Sequence, residues 1–157
     1  MNVPQGIQPF WARFQAAIGR DESSRFCEAF HFDDNEQSAN ELGRLVVEGT
    51  KKATASLLWS YEAANKPLAK NGDLSVVTDW RGPPVCVIET TEVDVVPYDE
   101  VGEGFAVIEV EGDGSLRYWR EAHWAYFGRE CRRIGRQPSL NMPIVCEQFK
   151  LVDPISA

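Results

Sequence analysis

A helix that must stop and a strand that must begin within one run of eight residues constrain this chain more than any other feature. The run is Gly49-Thr50-Lys51-Lys52-Ala53-Thr54-Ala55-Ser56. Upstream, Ser38 and Glu41 have the spacing of a capping box, and Leu42, Leu45 and Val46 form an apolar stripe at i, i+3, i+4. Glycine enters the left-handed backbone region without a Cβ penalty, so Gly49 is placed to end that helix. The junction gathers Lys51 and Lys52 with the hydroxyls of Thr54 and Ser56. Such a mouth suits an anion, or it sets an amine beside a nucleophilic oxygen.

On either side the pattern alternates between short strands and helices. Residues 8–18 carry Phe10, Trp11, Phe14, Ala17 and Ile18 at helical spacing, closed by Gly19. Phe26, Phe30 and Phe32 share one parity, which predicts a half-buried strand, and a polar loop leads from there into the helix at 38–48. Strands are predicted over 53–59, 74–80, 85–96 and 144–152, the third long enough to need a bend or bulge. Residues 98–104 read as a short helix or turn and 105–111 as extended. The last helix, 115–130, places Leu116, Trp119, His123 and Phe127 on one stripe. The expected fold is α+β, a small mixed sheet curled into a barrel with flanking helices. It comprises an N-terminal helical extension, 1–25, and one domain over 26–157.

At 157 residues the chain is long enough to bury a core unaided. Its net charge of −8 argues against gripping duplex DNA over a broad surface, though a small basic pocket is still allowed. No apolar run approaches a membrane span, and the N-terminus lacks the pattern of a secretory signal. Cys27, Cys86, Cys131 and Cys146 are scattered without a CxxC pair, so reduced thiols and a cytoplasmic setting are expected. Nothing in the sequence sets an oligomeric state. Arg129, Arg132, Arg133 and Arg136 form one basic cluster, either a solvated helix end or a phosphate contact.

The ordered segments resemble the ASCH domain, a superfamily whose barrel is similar to the PUA RNA-binding fold. The residues that carry the match are Phe30-His31-Phe32, Glu41-Leu42, the Gly49-to-Ser56 run, Gly72-Asp73, Pro84-Val85-Cys86-Val87-Ile88 and Phe105-Ala106. The acidic run at 109–113 and Trp119-Arg120 with His123 complete it. Two positions depart from the usual pattern. Asp33 stands where glycine commonly follows the aromatic pair, and Val110 interrupts a run that often reads Glu-Gly-Glu-Gly-Asp. One branch of the superfamily looks like amidohydrolases acting on N4-acylated cytidines, with a Gly-x-Lys-x-x-Thr segment and a downstream glutamate. Gly49, Lys51 and Thr54 match that segment, and Glu109 is the matching glutamate. Other members are linked to RNA binding or RNA cleavage, so the fold alone does not select a reaction.

The resemblance implies Lys51, Thr54 and Glu109 as catalytic residues. Amide hydrolysis needs a nucleophile, a base and an acid for the departing amine. Thr54 would supply the oxygen and Lys51 the base, while Glu109 would protonate the leaving nitrogen or steer a water. A lysine acting as base must be neutral, a shift of roughly three units from about 10.4. In a regular strand Lys51 and Thr54 would point to opposite faces, so residues 50–52 are expected to lie in the turn. Candidate substrate contacts are Lys52, Ser56, Trp59, Tyr61, Trp80 and Arg81, the aromatics for stacking a base. No cofactor or metal is expected, and two histidines with dispersed cysteines make a zinc site improbable. His123, on an apolar stripe, reads first as a core residue.

The expected partner is a modified nucleoside or RNA, with no membrane. The alternative function is an RNA-binding module, or a metal-dependent ribonuclease in which Glu109 and Glu111, on one face of an extended segment, hold Mg²⁺ or Mn²⁺. That reading uses the cluster at 129–136 as a phosphate track.

Overall fold

The computed structural model describes residues 3–153; residues 1–2 and 154–157, the outer ends of the two expected segments, lie outside it. The chain opens with helix α1, Gln8–Ile18, which has a proline in its first turn and Gly19 at φ +75° closing it. Trp11 and Phe14 are buried, and with Ile7 they pack on Phe26, Leu74, Val76 and Val87. A buried carboxylate ties the same segment down. Glu22 is paired with Arg20 and Arg25. Arg25 also donates to the Gly72 carbonyl and reaches Glu89 at 2.8 Å.

The sheet has five strands: β1 (Phe26–Phe30), β2 (Ala53–Leu57), β3 (Leu74–Thr78), β4 (Pro84–Pro97) and β5 (Pro143–Asp153). Their order is β1-β3-β4-β5-β2. β1 runs parallel to β3, and every other neighbouring pair is antiparallel. β4 is long and slips register between Thr90 and Glu92, which is the irregularity its length predicts.

The fold is α+β as expected, but the sheet does not close into a barrel. β1 and β2 are its two edges. The end of helix α4, Glu103–Glu109, lies against the β2 edge. The Ala55 N–H of β2 donates to the Glu109 carboxylate at 3.0 Å, and the Lys52 N–H donates to the Ile108 carbonyl at 3.0 Å. Side chain and helix end thus satisfy this edge in place of a neighbouring ladder.

Three local readings change. Helix α2, Glu36–Val47, is capped by Asn35, whose side chain accepts from the Ser38 N–H at 2.9 Å, so Ser38 lies inside the first turn. β2 stops at Leu57, and helix α3, Leu58–Ala63, takes Trp59. The apolar run around Phe105 is α4 rather than extended; so short a run carries no periodicity that separates the two. Helix α5, Leu116–Arg133, carries the predicted stripe and is capped by the Ser115 hydroxyl. All four cysteines are free, and burial pushes the Cys86 and Cys146 thiols up to about 12. No helix among the described residues is long and apolar enough to cross a membrane.

Candidate active site

Gly49 ends α2 as the sequence predicts, at φ +80°. The Thr50 N–H reaches back to the Leu45 carbonyl and the Gly49 N–H to Val46, the paired bonds of a Schellman stop. The Lys51 N–H also donates to Leu45, so residues 50–52 lie in the turn and strand begins only at Ala53. This turn drives Lys51 inward. Only 2 % of Lys51 is exposed, and its amine lies 5.3 Å from the centre of the Phe32 ring. The amine donates to the Glu109 carbonyl at 3.0 Å and sits 3.8 Å from that residue's carboxylate. Among the described residues it makes no hydrogen bond to Thr54, so the turn brings Lys51 round to Glu109 instead.

Glu109 ends α4 and is itself buried. One carboxylate oxygen accepts from Ala55, and the other accepts from the Trp119 indole. The next residue, Val110, takes the left-handed conformation at φ +52°, and this reversal turns Glu111 back toward α5. There His123 stacks on Trp119, ring centres 4.1 Å apart, and its Nδ1 lies 2.9 Å from the Trp119 carbonyl. Its Nε2 faces Glu109 at 3.2 Å and Glu111 at 3.1 Å.

These groups open on a cavity of about 340 Å³, within the range of small-molecule sites. Lys51, Thr54 and Glu109 all line it, as do Ser56 and Tyr61. The other four predicted contacts do not. Lys52 points its side chain to solvent, its backbone held by Ile108 and Phe149. Trp59 packs against the core with Arg136 at 4.4 Å from its ring centre. Trp80 stands behind His31, a cavity residue, at 4.8 Å, and Arg81 pairs with Glu36. Asp113 caps the turn before α5 by accepting from the Ser115 N–H.

Sequence reasoning did not single out Glu28, Lys66 and Glu147 at the opposite wall. They lie on three separate segments, and no local spacing joins them. Lys66 bridges to Glu28 at 2.6 Å, and Glu147 accepts from the Thr90 hydroxyl at 2.9 Å. Burial raises the Glu147 carboxyl above its usual range.

Burial pushes the Glu109 carboxyl up, but Lys51 and His123, with hydrogen bonds from His123 and Trp119, outweigh it and hold it low. Glu111 moves the other way: burial and the neighbouring Glu109 charge raise it against the pull of Lys51 and His123. For His123, burial lowers the value, and the charges of Glu109 and Glu111 more than reverse that. Ligand atoms of Glu109, Glu111 and His123 approach within 4.8 Å of one another. Both Glu109 oxygens already accept hydrogen bonds, however, and the amine of Lys51 stands beside them. The arrangement suits a trapped proton better than a cation.

A β-branched residue in the left-handed region stores about 1–3 kcal/mol of strain. Val110 is half-buried there, at the end of α4. The Val110→Gly variant is therefore expected to gain about 1 kcal/mol after the extra freedom of glycine in the unfolded chain is subtracted. Denaturant unfolding monitored by tryptophan fluorescence checks this, and an unchanged or lower midpoint refutes it.

The family model described as the ASCH domain matches residues 28–153. The solved ASCH domain from Lactobacillus crispatus JV V101 superposes with a TM-score of 0.87 at 35% identity, covering 96% of each chain. Protein EF3133 from Enterococcus faecalis V583 gives 0.86 at 32% identity, over 94% of this chain and 88% of its own. Hypothetical protein PH0355, at 15% identity and a TM-score of 0.54 over 81% of this chain and 99% of its own, shares the fold alone. No curated protein matches the chain.

Proposed function

The chain belongs to the ASCH domain family, and on that premise we propose that it is an amidohydrolase removing acyl groups from N4-acylated cytidine-type nucleosides. What carries the reading is the convergence of Lys51, Thr54 and Glu109, from a turn, a strand and a helix end, on one part-enclosed cavity. The Thr54 oxygen attacks the acyl carbon and its proton passes to Lys51 when that amine is uncharged, its form as base and not the ammonium that pairs with Glu109. The carbon–nitrogen bond breaks, the nitrogen takes a proton, and cytidine leaves. Water then cleaves the threonyl ester: its oxygen joins the acyl carbon, one of its protons replaces the one given to the nitrogen, and Lys51 returns its proton to the Thr54 oxygen, releasing the acid and restoring the hydroxyl. Glu109, with both oxygens accepting hydrogen bonds, fixes the amine of Lys51 rather than supplying the proton. Ser56 and Tyr61 line the wall that would receive the nucleoside.

Charge on the cavity wall favours an uncharged substrate over RNA. Arg129 is bound by Asp34, Arg133 by Glu130, and Lys66 by Glu28. These pairs neutralise those cations of the cavity wall; Arg132 and Arg136 of the cluster do not line it.

The test incubates the protein with N4-acetylcytidine and, in parallel, with RNA, each with and without EDTA. Release of cytidine that is insensitive to chelator is expected. The Thr54→Ala variant should lose it by at least about 10³-fold while keeping its fold, because the hydroxyl makes no hydrogen bond among the described residues; that loss corresponds to about 4 kcal/mol of barrier. RNA cleavage abolished by EDTA, with the nucleoside untouched, would replace this reading with the ribonuclease one.

A further inference from the structure

Building on that reading, we infer that His123 is a positioning residue holding one shared proton between Glu109 and Glu111, and that Glu111 is the acid from which the departing nitrogen takes its proton. The observation behind it is a count of donors. The Trp119 carbonyl has no proton to give, so His123 donates its Nδ1–H there. Nε2 then meets two carboxylates at 3.2 and 3.1 Å. A bare nitrogen facing two carboxylates at that distance would be three acceptors in contact, buried from water. One proton therefore has to sit in this group, either on Nε2 or on a carboxyl that donates to it.

Glu109 is the poorer place for that proton. Its oxygens accept from Ala55 and from the Trp119 indole, and the Lys51 amine stands beside it. Glu111 is the better place. Its Oε2 is buried with no well-formed hydrogen bond among the described residues, and the residue lines the cavity. The opposite directions in which the two carboxyls are pushed agree with this division. The charged groups facing the unit are Lys51 from the turn, Glu109 and Glu111 from the end of α4 and the residues after it, and Asp33 across the cavity.

In the reaction, the proton leaves Glu111 for the nitrogen as the carbon–nitrogen bond breaks. Water that attacks the threonyl ester returns one to the unit, so the proton count is unchanged over the cycle. Activity consequently needs the shared proton and declines as pH rises past the point where it is lost.

Nitrogen-15 NMR of the imidazole side chains reads the unit directly. The chain has only two histidines, and His31→Asn assigns the signals. In the unmodified protein His123 should remain doubly protonated, or bonded to a carboxylic acid, well above the pH at which an ordinary imidazole titrates. Glu111→Gln removes the carboxyl while keeping its shape, and should lower that midpoint by about one unit or more. In the same variant kcat for N4-acetylcytidine should drop about 10²-fold with KM little changed, and the alkaline limb of the remaining activity should move. A His123 midpoint that ignores Glu111→Gln overturns the inference. So does a shifted midpoint with kcat and the alkaline limb unaltered. Absence of hydrolysis in the unmodified protein, with the NMR signature intact, instead strikes the amidohydrolase reading on which the delivery step rests.

Discussion

Lys51→Met is expected to abolish turnover and to lower stability by about 3–5 kcal/mol, the cost of breaking a buried pair from one side. Methionine matches the length and shape of the lysine stem, so packing against Phe32 survives and the loss is electrostatic. Glu109 keeps its hydrogen bonds from Ala55 and Trp119 but loses the amine that stands 3.8 Å from its carboxylate. The control is the double variant Lys51→Met with Glu109→Gln. Removing the orphaned charge should recover most of the stability while activity stays absent. Chemical denaturation of both variants, with cytidine release measured alongside, separates the two roles. Equal destabilisation in the single and double variants would show that the loss does not come from the orphaned Glu109 charge, and would refute this account.

Trp11→Ala is expected to cost about 3–5 kcal/mol, the usual range for deleting a buried aromatic. Trp11 lies on α1, outside the family match at 28–153, yet it is 3 % exposed and packs edge-on against Phe26 at the start of β1. Its partners Leu74, Val76 and Val87 belong to β3 and β4. If the helical extension were an independent appendage, the variant would leave the unfolding midpoint of the sheet where it is. A single cooperative transition shifted to lower denaturant is the expected result.

Much of the frame could be read because its signals are local. Gly19 and Gly49 mark the ends of α1 and α2, and the length of β4 announces its irregularity. The two departures from the family pattern also turn out to share a physical meaning. Asp33 and Val110 both hold positive φ, at +58° and +52°, the region in which glycine is at ease. Aspartate tolerates it better than valine does. What the sequence hid depends on tertiary placement. An apolar run of four residues did not reveal that Phe105 lies within helix α4, whose end meets the β2 edge. His123 carried only the signature of a core stripe. Its two carboxylate neighbours arrive through the reversal at Val110, which no spacing rule predicts. Trp80 looked like a platform for stacking a base and Arg81 like a substrate contact beside it, whereas here they stand outside the cavity wall.

The unpaired margins of the sheet have a mechanical consequence. The cavity draws Glu28 and Phe30 from one outermost stave and Thr54 and Ser56 from the other. An occupant that touches both would act as a cross-brace between segments that no backbone ladder joins. Its arrival would quiet amide exchange along residues 26–30 and 53–57 together, while the inner staves, already laced on both sides, would hardly register it.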